Sequence, residues 1–304
     1  MNPSIIQTHN LSKRYGNVLA VDGVSLNVAR GEIYGFLGLN GAGKTTTIRL
    51  LLDMIHPSGG DISLFGESIG HRGRGPWQRV GHLVDVPAAY PELTVRENLE
   101  ISRRLYGVTS SKATEGAVER FGLAPYADNR AQTLSSGNLQ RLGLARAFLH
   151  APELVLLDEP AKGLDPAGAV EVRELLHTLA QDHGVTIFMS SHILAEVDRL
   201  ATRIGIIHKG LLIEELEASE LERQRRKRLT VDARDRMAVR AALEAAGYAV
   251  EIGEKDGGFE LYEPRAYENP EDVVRVLVAA GTPPIHLAVE QEDLEMHFLR
   301  LTRG

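Results

Sequence analysis

Eight residues, Gly38-Leu39-Asn40-Gly41-Ala42-Gly43-Lys44-Thr45, constrain this chain more than any others. They fit the pattern GxxxxGKS/T in full. They also stand between a short apolar run, Glu32 to Leu37, and a helical pattern from Lys44 to about Met54, whose stripe is Ile48, Leu51, Leu52 and Ile55. A strand, a glycine-rich turn and a helix in that order aim several backbone N–H groups at one point, where the field of a helix N-terminus adds to them. The chemistry that fits is the phosphate chain of a nucleotide. Asn40, Gly41, Ala42, Gly43, Lys44, Thr45 and Thr46 are therefore the candidate binding segment. Lys44 is expected to reach the β- and γ-phosphates, and Thr45 to offer its hydroxyl to Mg2+.

The loop alone leaves kinase, GTPase and ATPase open. Leu154-Val155-Leu156-Leu157-Asp158-Glu159-Pro160 narrows the choice, because it is an apolar strand that ends in two carboxylates. Asp158 is placed to hold Mg2+ through a coordinated water, and Glu159 to orient and activate the water that attacks the γ-phosphorus. No NKxD segment follows to read a guanine. ATP with Mg2+ is the expected pair.

Around these motifs the pattern is α/β, with one interruption. Residues 87–147 read as mostly helical: Thr94 and Glu97 form a capping box ahead of a helix to about Tyr106, a second helix runs from near Ser110 to Phe121, and a third starts near Ser136. This stretch reads as a helical subdomain inserted in a larger domain spanning 1–218. The α/β pattern then resumes with a helix from Val170 to about Ala180, a strand Val185 to Met189, and a strand pair around Lys209-Gly210. Composition shifts at residues 214–228, where acidic residues give way to Arg223, Arg225, Arg226, Lys227 and Arg228. That run reads as a solvated linker helix, with a basic face toward lipid head groups or a partner as the alternative. Residues 219–304 follow as linker and accessory domain, in the order β-α-β-β-α-β of a split βαβ unit, with a hairpin turn at Asp256-Gly257-Gly258.

With these elements in place the chain resembles the nucleotide-binding subunits of ABC transporters over about its first 215 residues. The likeness rests on several motifs in the family's order. Tyr15, just ahead of Gly16-Asn17-Val18-Leu19, matches the aromatic residue that stacks on adenine. Leu134-Ser135-Ser136-Gly137-Asn138 matches the signature motif, which completes the site of an opposing subunit through Ser135 and Gly137. Ala161-Lys162-Gly163-Leu164-Asp165 matches the D-loop, and Ser190-Ser191-His192 the switch segment, in which His192 contacts the γ-phosphate and helps place Glu159. Two departures stand out. The signature reads LSSGN where LSGGQ is commonest, and Asp85 occupies the position where the family usually has Gln. A carboxylate there, before Tyr90-Pro91-Glu92-Leu93-Thr94, is similar to the branch of exporters that protect cells from bacitracin and lantibiotic-type peptides. Asp85 is a candidate metal contact, acting through water because it is one methylene shorter than the Glu of that branch.

The resemblance implies an α/β P-loop ATPase cassette with an inserted helical subdomain, plus a small α+β C-terminal domain. It implies a subunit that binds and hydrolyses ATP to power an exporter. Its partners would be a second ATPase subunit, head to tail, and multi-span permease subunits. The chain would sit peripherally at the cytoplasmic face of the membrane. The remaining bulk properties agree. No apolar stretch reaches the length needed to cross a bilayer, no apolar signal segment opens the chain, and the formal net charge of -7 argues against a general nucleic-acid partner. Two other readings stay open: a soluble ABC-type ATPase working on DNA or translation, and an ATP-gated binding module that hydrolyses poorly.

Overall fold

A computed structural model of the chain describes residues 3–70, 75–85, 87–253 and 258–303. The chain divides into two compact units, Met1–Ser219 and Glu220–Gly304.

The first unit is built on a six-stranded sheet. Four strands form its parallel centre: Ile33–Leu37 lies beside Thr186–Ser191, then Leu154–Asp158, then Val80–Leu83. Arg203–His208 continues the sheet on the other side, parallel to Ile33–Leu37, and Leu211–Glu217 closes it antiparallel. Every residue of Ile33–Leu37, Leu154–Asp158 and Thr186–Ser191 is buried. That is the environment near-continuous apolar runs require, because helices cover both faces of a parallel sheet. A second, antiparallel sheet pairs the long strand Ser4–Tyr15 with Val18–Val24, Asn27–Ala29 and Gly59–Leu64.

The helical stretch enters after Val80–Leu83 and leaves before Leu154–Asp158, two strands that pair directly. It contains Val95–Leu105, Lys112–Arg120 and Ser136–Phe148. Thr94 and Glu97 form the complete capping box, each side chain bonding to the other's backbone N–H.

Several boundaries differ from the sequence reading. The helix after the phosphate loop is Lys44–Leu51, ending before Met54. The helix expected from Val170 starts at Pro166, because Asp165 caps it and Pro166 is pre-shaped for a first turn. A helix at Leu194–Leu200 was not anticipated. The 214–228 stretch is not one linker helix. Glu214 to Glu217 belongs to an edge strand, Ala218–Gln224 is a short helix, and Lys227 and Arg228 open the next strand. Arg228 is 8% exposed and lies between Glu260 and Glu290, so the far end of the basic run is withdrawn from solvent.

The second unit has one antiparallel sheet in the order Glu251–Ile252, Phe259–Leu261, Lys227–Asp232, His286–Gln291. The order, second-third-first-fourth along the chain, is that of a split βαβ unit. The helices Arg236–Ala245, Pro264–Glu268 and Pro270–Ala279 pack their apolar side against it, with Leu229, Val231, Val239, Leu243, Phe259, Leu261, Val273 and Leu277 at the centre. The Asp256-Gly257 part of the expected hairpin turn lies outside the described residues.

Candidate nucleotide site

Ligands of open parallel sheets sit beyond the carboxyl ends of the strands. Here three neighbouring strands deliver motif residues to that edge together. Ile33–Leu37 runs into the glycine-rich loop, Leu154–Asp158 ends on Asp158 with Glu159 next, and Thr186–Ser191 between them ends one residue before His192.

In the loop, Gly41 and Gly43 adopt φ of +79° and +113°. Gly43 is the N-cap of Lys44–Leu51, and no side chain caps that helix. Its first N–H groups are thus left to face a ligand, the usual arrangement for anion binding. Asn40 and Gly41 are exposed at the loop's tip, and Thr46 is half-buried. Lys44 is buried, and its ammonium donates to the carbonyls of Gly38 (2.7 Å) and Leu39 (3.2 Å). Burial pulls its pKa below the ordinary lysine range, while Glu159 and then Asp158 act in the opposite direction.

The Thr45 hydroxyl donates to Asp158 Oδ2 at 2.7 Å, and the Ser190 hydroxyl donates to Asp158 Oδ1. A hydroxyl and a carboxylate in contact suit a hard divalent cation. Among the described residues no group of three or more His, Cys, Asp or Glu side chains could hold a metal. Phosphate oxygens and water would therefore complete the shell, as Mg2+ prefers. The pair fits the ion.

Glu159 has φ of +51°, in the left-handed region uncommon for a side chain of this size. Its Oε1 lies 2.8 Å from His192 Nδ1, and Lys162 Nζ is 3.9 Å from Oε2. Its N–H donates to the Ser190 carbonyl at 3.1 Å. The carboxylate is thus aimed from the strand edge toward the switch histidine.

The signature residues stand at a helix start. Ser135 caps Ser136–Phe148 by accepting from the N–H of Asn138, Ser136 donates to the Gly163 carbonyl (3.3 Å), and Gly137 lies against Gly163 and Leu164. Asp165 also caps a helix, accepting from Gly168 N–H at 3.0 Å. Tyr15 is 45% exposed at the end of its strand, with Lys13 over its ring. Asp85 does not join Thr45 and Asp158. Both its oxygens are engaged by Arg49 of the loop helix, at 2.7 Å from Nη2, and its φ is +62°. Arg49 and Gln140, whose amide donates to the carbonyls of Glu159 and Pro160, escaped the sequence reading, and Ser190 was read only as part of the switch segment, without its bond to Asp158. Strand alternation could have pointed to Ser190, whereas Arg49 and Gln140 act through partners distant in sequence.

A glycine-rich loop opening a helix, a Thr45–Asp158 contact that suits a divalent cation and a Glu159–His192 contact at the ends of adjacent strands are the layout of a P-loop nucleotide hydrolase. A family profile described as "ABC transporter" matches residues 21–162. A bacitracin transport ATP-binding protein of Bacillus licheniformis is 39% identical over 99% of this chain and 98% of its own. One from Enterococcus faecalis is 36% identical over 99% and 97%. A Nod factor export ATP-binding protein of Burkholderia orbicola is 41% identical, but over 71% of each chain. Among solved structures, an ATP-binding subunit of an ABC transporter superposes with a TM-score of 0.66 at 28% identity, covering 73% of this chain and 93% of that one. A dimeric bacterial ABC transporter cassette gives 0.64 at 24% identity, over 70% and 99%.

The chain belongs to the ATP-binding subunits of ABC transporters, closely related to the ATPases of bacitracin-type exporters. It binds and hydrolyses ATP. No helix among the described residues is long and apolar enough to cross a membrane.

Proposed function

We propose that the chain powers export of a peptide antibiotic of the bacitracin type, as the peripheral ATPase of a complex with multi-span permease subunits at the cytoplasmic face of the membrane. The observation that carries this reading is the length of the similarity. The two bacitracin transport relatives align over 99% of the chain and so through the second unit, whereas the Nod factor export relative aligns over only 71% of it.

In this reading Tyr15 stacks on the adenine, and the loop residues 40–46 cradle the phosphates, with Lys44 turning from its own carbonyls to the β- and γ-oxygens. Thr45 and Asp158 hold Mg2+, which when bound neutralises phosphate charge. Glu159 accepts the proton of the attacking water, and His192 orients Glu159 and meets the γ-phosphate. A second subunit packs head to tail, and its Ser135, Gly137 and D-loop Asp165 close the site. Asp85, paired to Arg49, links the loop helix to the strand that leads into the helical stretch, and any approach to the cation passes through water.

The test is to co-express the chain with its permease in a bacitracin-sensitive host and to assay the purified complex for Mg2+-dependent ATP hydrolysis. Raised resistance, lost on Thr45→Ala, and hydrolysis stimulated by the peptide are expected. Full hydrolysis with no change in susceptibility to bacitracin or related peptides would refute the cargo while leaving the ATPase intact.

A further inference from the structure

The backbone around Glu159 is pinned from both sides. Its N–H is taken by Ser190, as described. On the other side Gln140 Nε2 donates to the carbonyls of Glu159 (3.2 Å) and Pro160 (2.9 Å). Gln140 is 5% exposed. The Glu159 carbonyl has a second donor in Lys162 N–H at 3.0 Å. Pro160 is buried and has no N–H to offer a neighbour in exchange, and its ring fixes φ. An amide NH2 carries two donors, and these two consecutive carbonyls use both.

This matters because Glu159 stands at φ +51°. A non-glycine residue in that region persists only where its surroundings over-determine it. With both peptide planes tied, the Cα–Cβ bond of Glu159 has one direction, and that direction brings Oε1 to 2.8 Å from His192. We infer that Gln140 is a positioning residue for hydrolysis, holding Glu159 in its strained conformation so that the carboxylate meets His192 and the attacking water. The inference rests on the role of Glu159 as the base.

The source of the tie adds a consequence. Gln140 lies on the helix opened by Ser135, and the same helix start touches the D-loop through Ser136 and Gly137. The segment proposed to close the partner's site is therefore bonded to the base of its own. A shift of that helix reaches Glu159 without passing through the nucleotide.

The experiment uses the full chain with its permease. Gln140→Met removes both donors at nearly constant volume. Gln140→Glu is isosteric and sets an acceptor against two carbonyls, so it answers the question if the methionine variant does not fold. A displacement of about 1 Å at a reacting group costs on the order of a hundredfold in rate. The expected result is a kcat about ten- to a hundredfold lower, with KM and the affinity for an ATP analogue within about twofold of wild type. Gln140→Glu should fall at least as far as Gln140→Met. In a Glu159→Gln background neither change should lower the residual rate further, because both act through the same carboxylate. Wild-type kcat in Gln140→Met beside an inactive Glu159→Gln overturns the inference and leaves the base in place. Losses that multiply in the double variant overturn it too, as does a parallel loss of nucleotide affinity, which marks a packing role. Wild-type turnover in Glu159→Gln removes the base itself, and the inference with it.

Discussion

Gly43→Ala and Gly41→Ala form a matched pair that tests how the phosphate loop is built. Both positions have positive φ, +79° at Gly41 and +113° at Gly43. A Cβ added at Gly41 meets nothing within 4 Å, so its cost is conformational alone, about 1–2 kcal/mol. A Cβ at Gly43 would lie 2.4 Å from the Ala20 carbonyl oxygen and 3.1 Å from Ile207 Cδ1. The first contact is with backbone and cannot be relieved by a rotamer change. The loop or the Ala20 strand must move by several tenths of an ångström, which adds about 1–3 kcal/mol of overpacking to the strain. Gly43→Ala should therefore cost on the order of 2–5 kcal/mol against a domain stability of roughly 5–15 kcal/mol. Because Gly43 directly precedes Lys44, the displacement falls where the helix N–H groups meet phosphate. Urea unfolding and fluorescent-nucleotide binding measure the two effects. Gly41→Ala should keep measurable binding, whereas Gly43→Ala should lose most of it. Equal affinities and equal midpoints for the two variants would refute the close approach at Ala20 as the reason for the second glycine.

Glu159→Gln should retain nucleotide binding while turnover falls about a hundred- to ten-thousandfold, or about 3–5 kcal/mol in barrier, because an amide cannot take the proton; phosphate release within threefold of wild type would remove Glu159 from that role. His150 stacks on Tyr106 with ring centroids 3.7 Å apart, and burial lowers its pKa to about 4. The unfolded chain, with an ordinary histidine pKa near 6.5, takes the proton first, so this contribution is complete above pH 6.5 and is lost as pH falls toward 4. Solvent access to the part-buried ring brings the full conversion of about 3 kcal/mol down to about 2 kcal/mol, and urea midpoints at several pH values should show a shallower acid-side decline in His150→Phe.

What the sequence made legible was local. The phosphate loop, the capping box at Thr94 and the apolar strand before Asp158 each carry their signal within eight residues. The helix at Leu194–Leu200 carried a weaker one, since Ile193 provides no side-chain cap. The Asp165-Pro166 start, ahead of the Val170 boundary, could have been read from its cap and proline. The partners of Asp85 and Gln140 lie beyond such reading. Arg49 is 36 residues from Asp85, and Gln140 is 19 from Glu159, so only the folded sheet brings them together. The basic run ending at Arg228 misled for a related reason. Strand alternation carried Arg228 to a sheet face where Glu260 and Glu290 await it, and composition alone cannot express that pairing.

The helical stretch joins two strands that are neighbours and parallel, with Val80 opposite Leu154 and Leu83 opposite Leu157. Parallel neighbours always need a crossover, and about a dozen residues with one helix are enough. Ser136–Phe148 by itself meets that need. The residues from 87 to 134 are then an addition to an obligatory connection, inserted where the chain had to leave the sheet anyway. Lengthening a loop costs only about 0.6 kcal/mol per doubling, so such an addition leaves the register of the ladder untouched. The architecture thus separates what is fixed from what can be exchanged: the sheet edge that carries the chemistry, with the Ser136–Phe148 helix whose Gln140 bonds beside Glu159, is one module, and residues 87–134 ahead of that helix can vary in length and sequence without rewriting it.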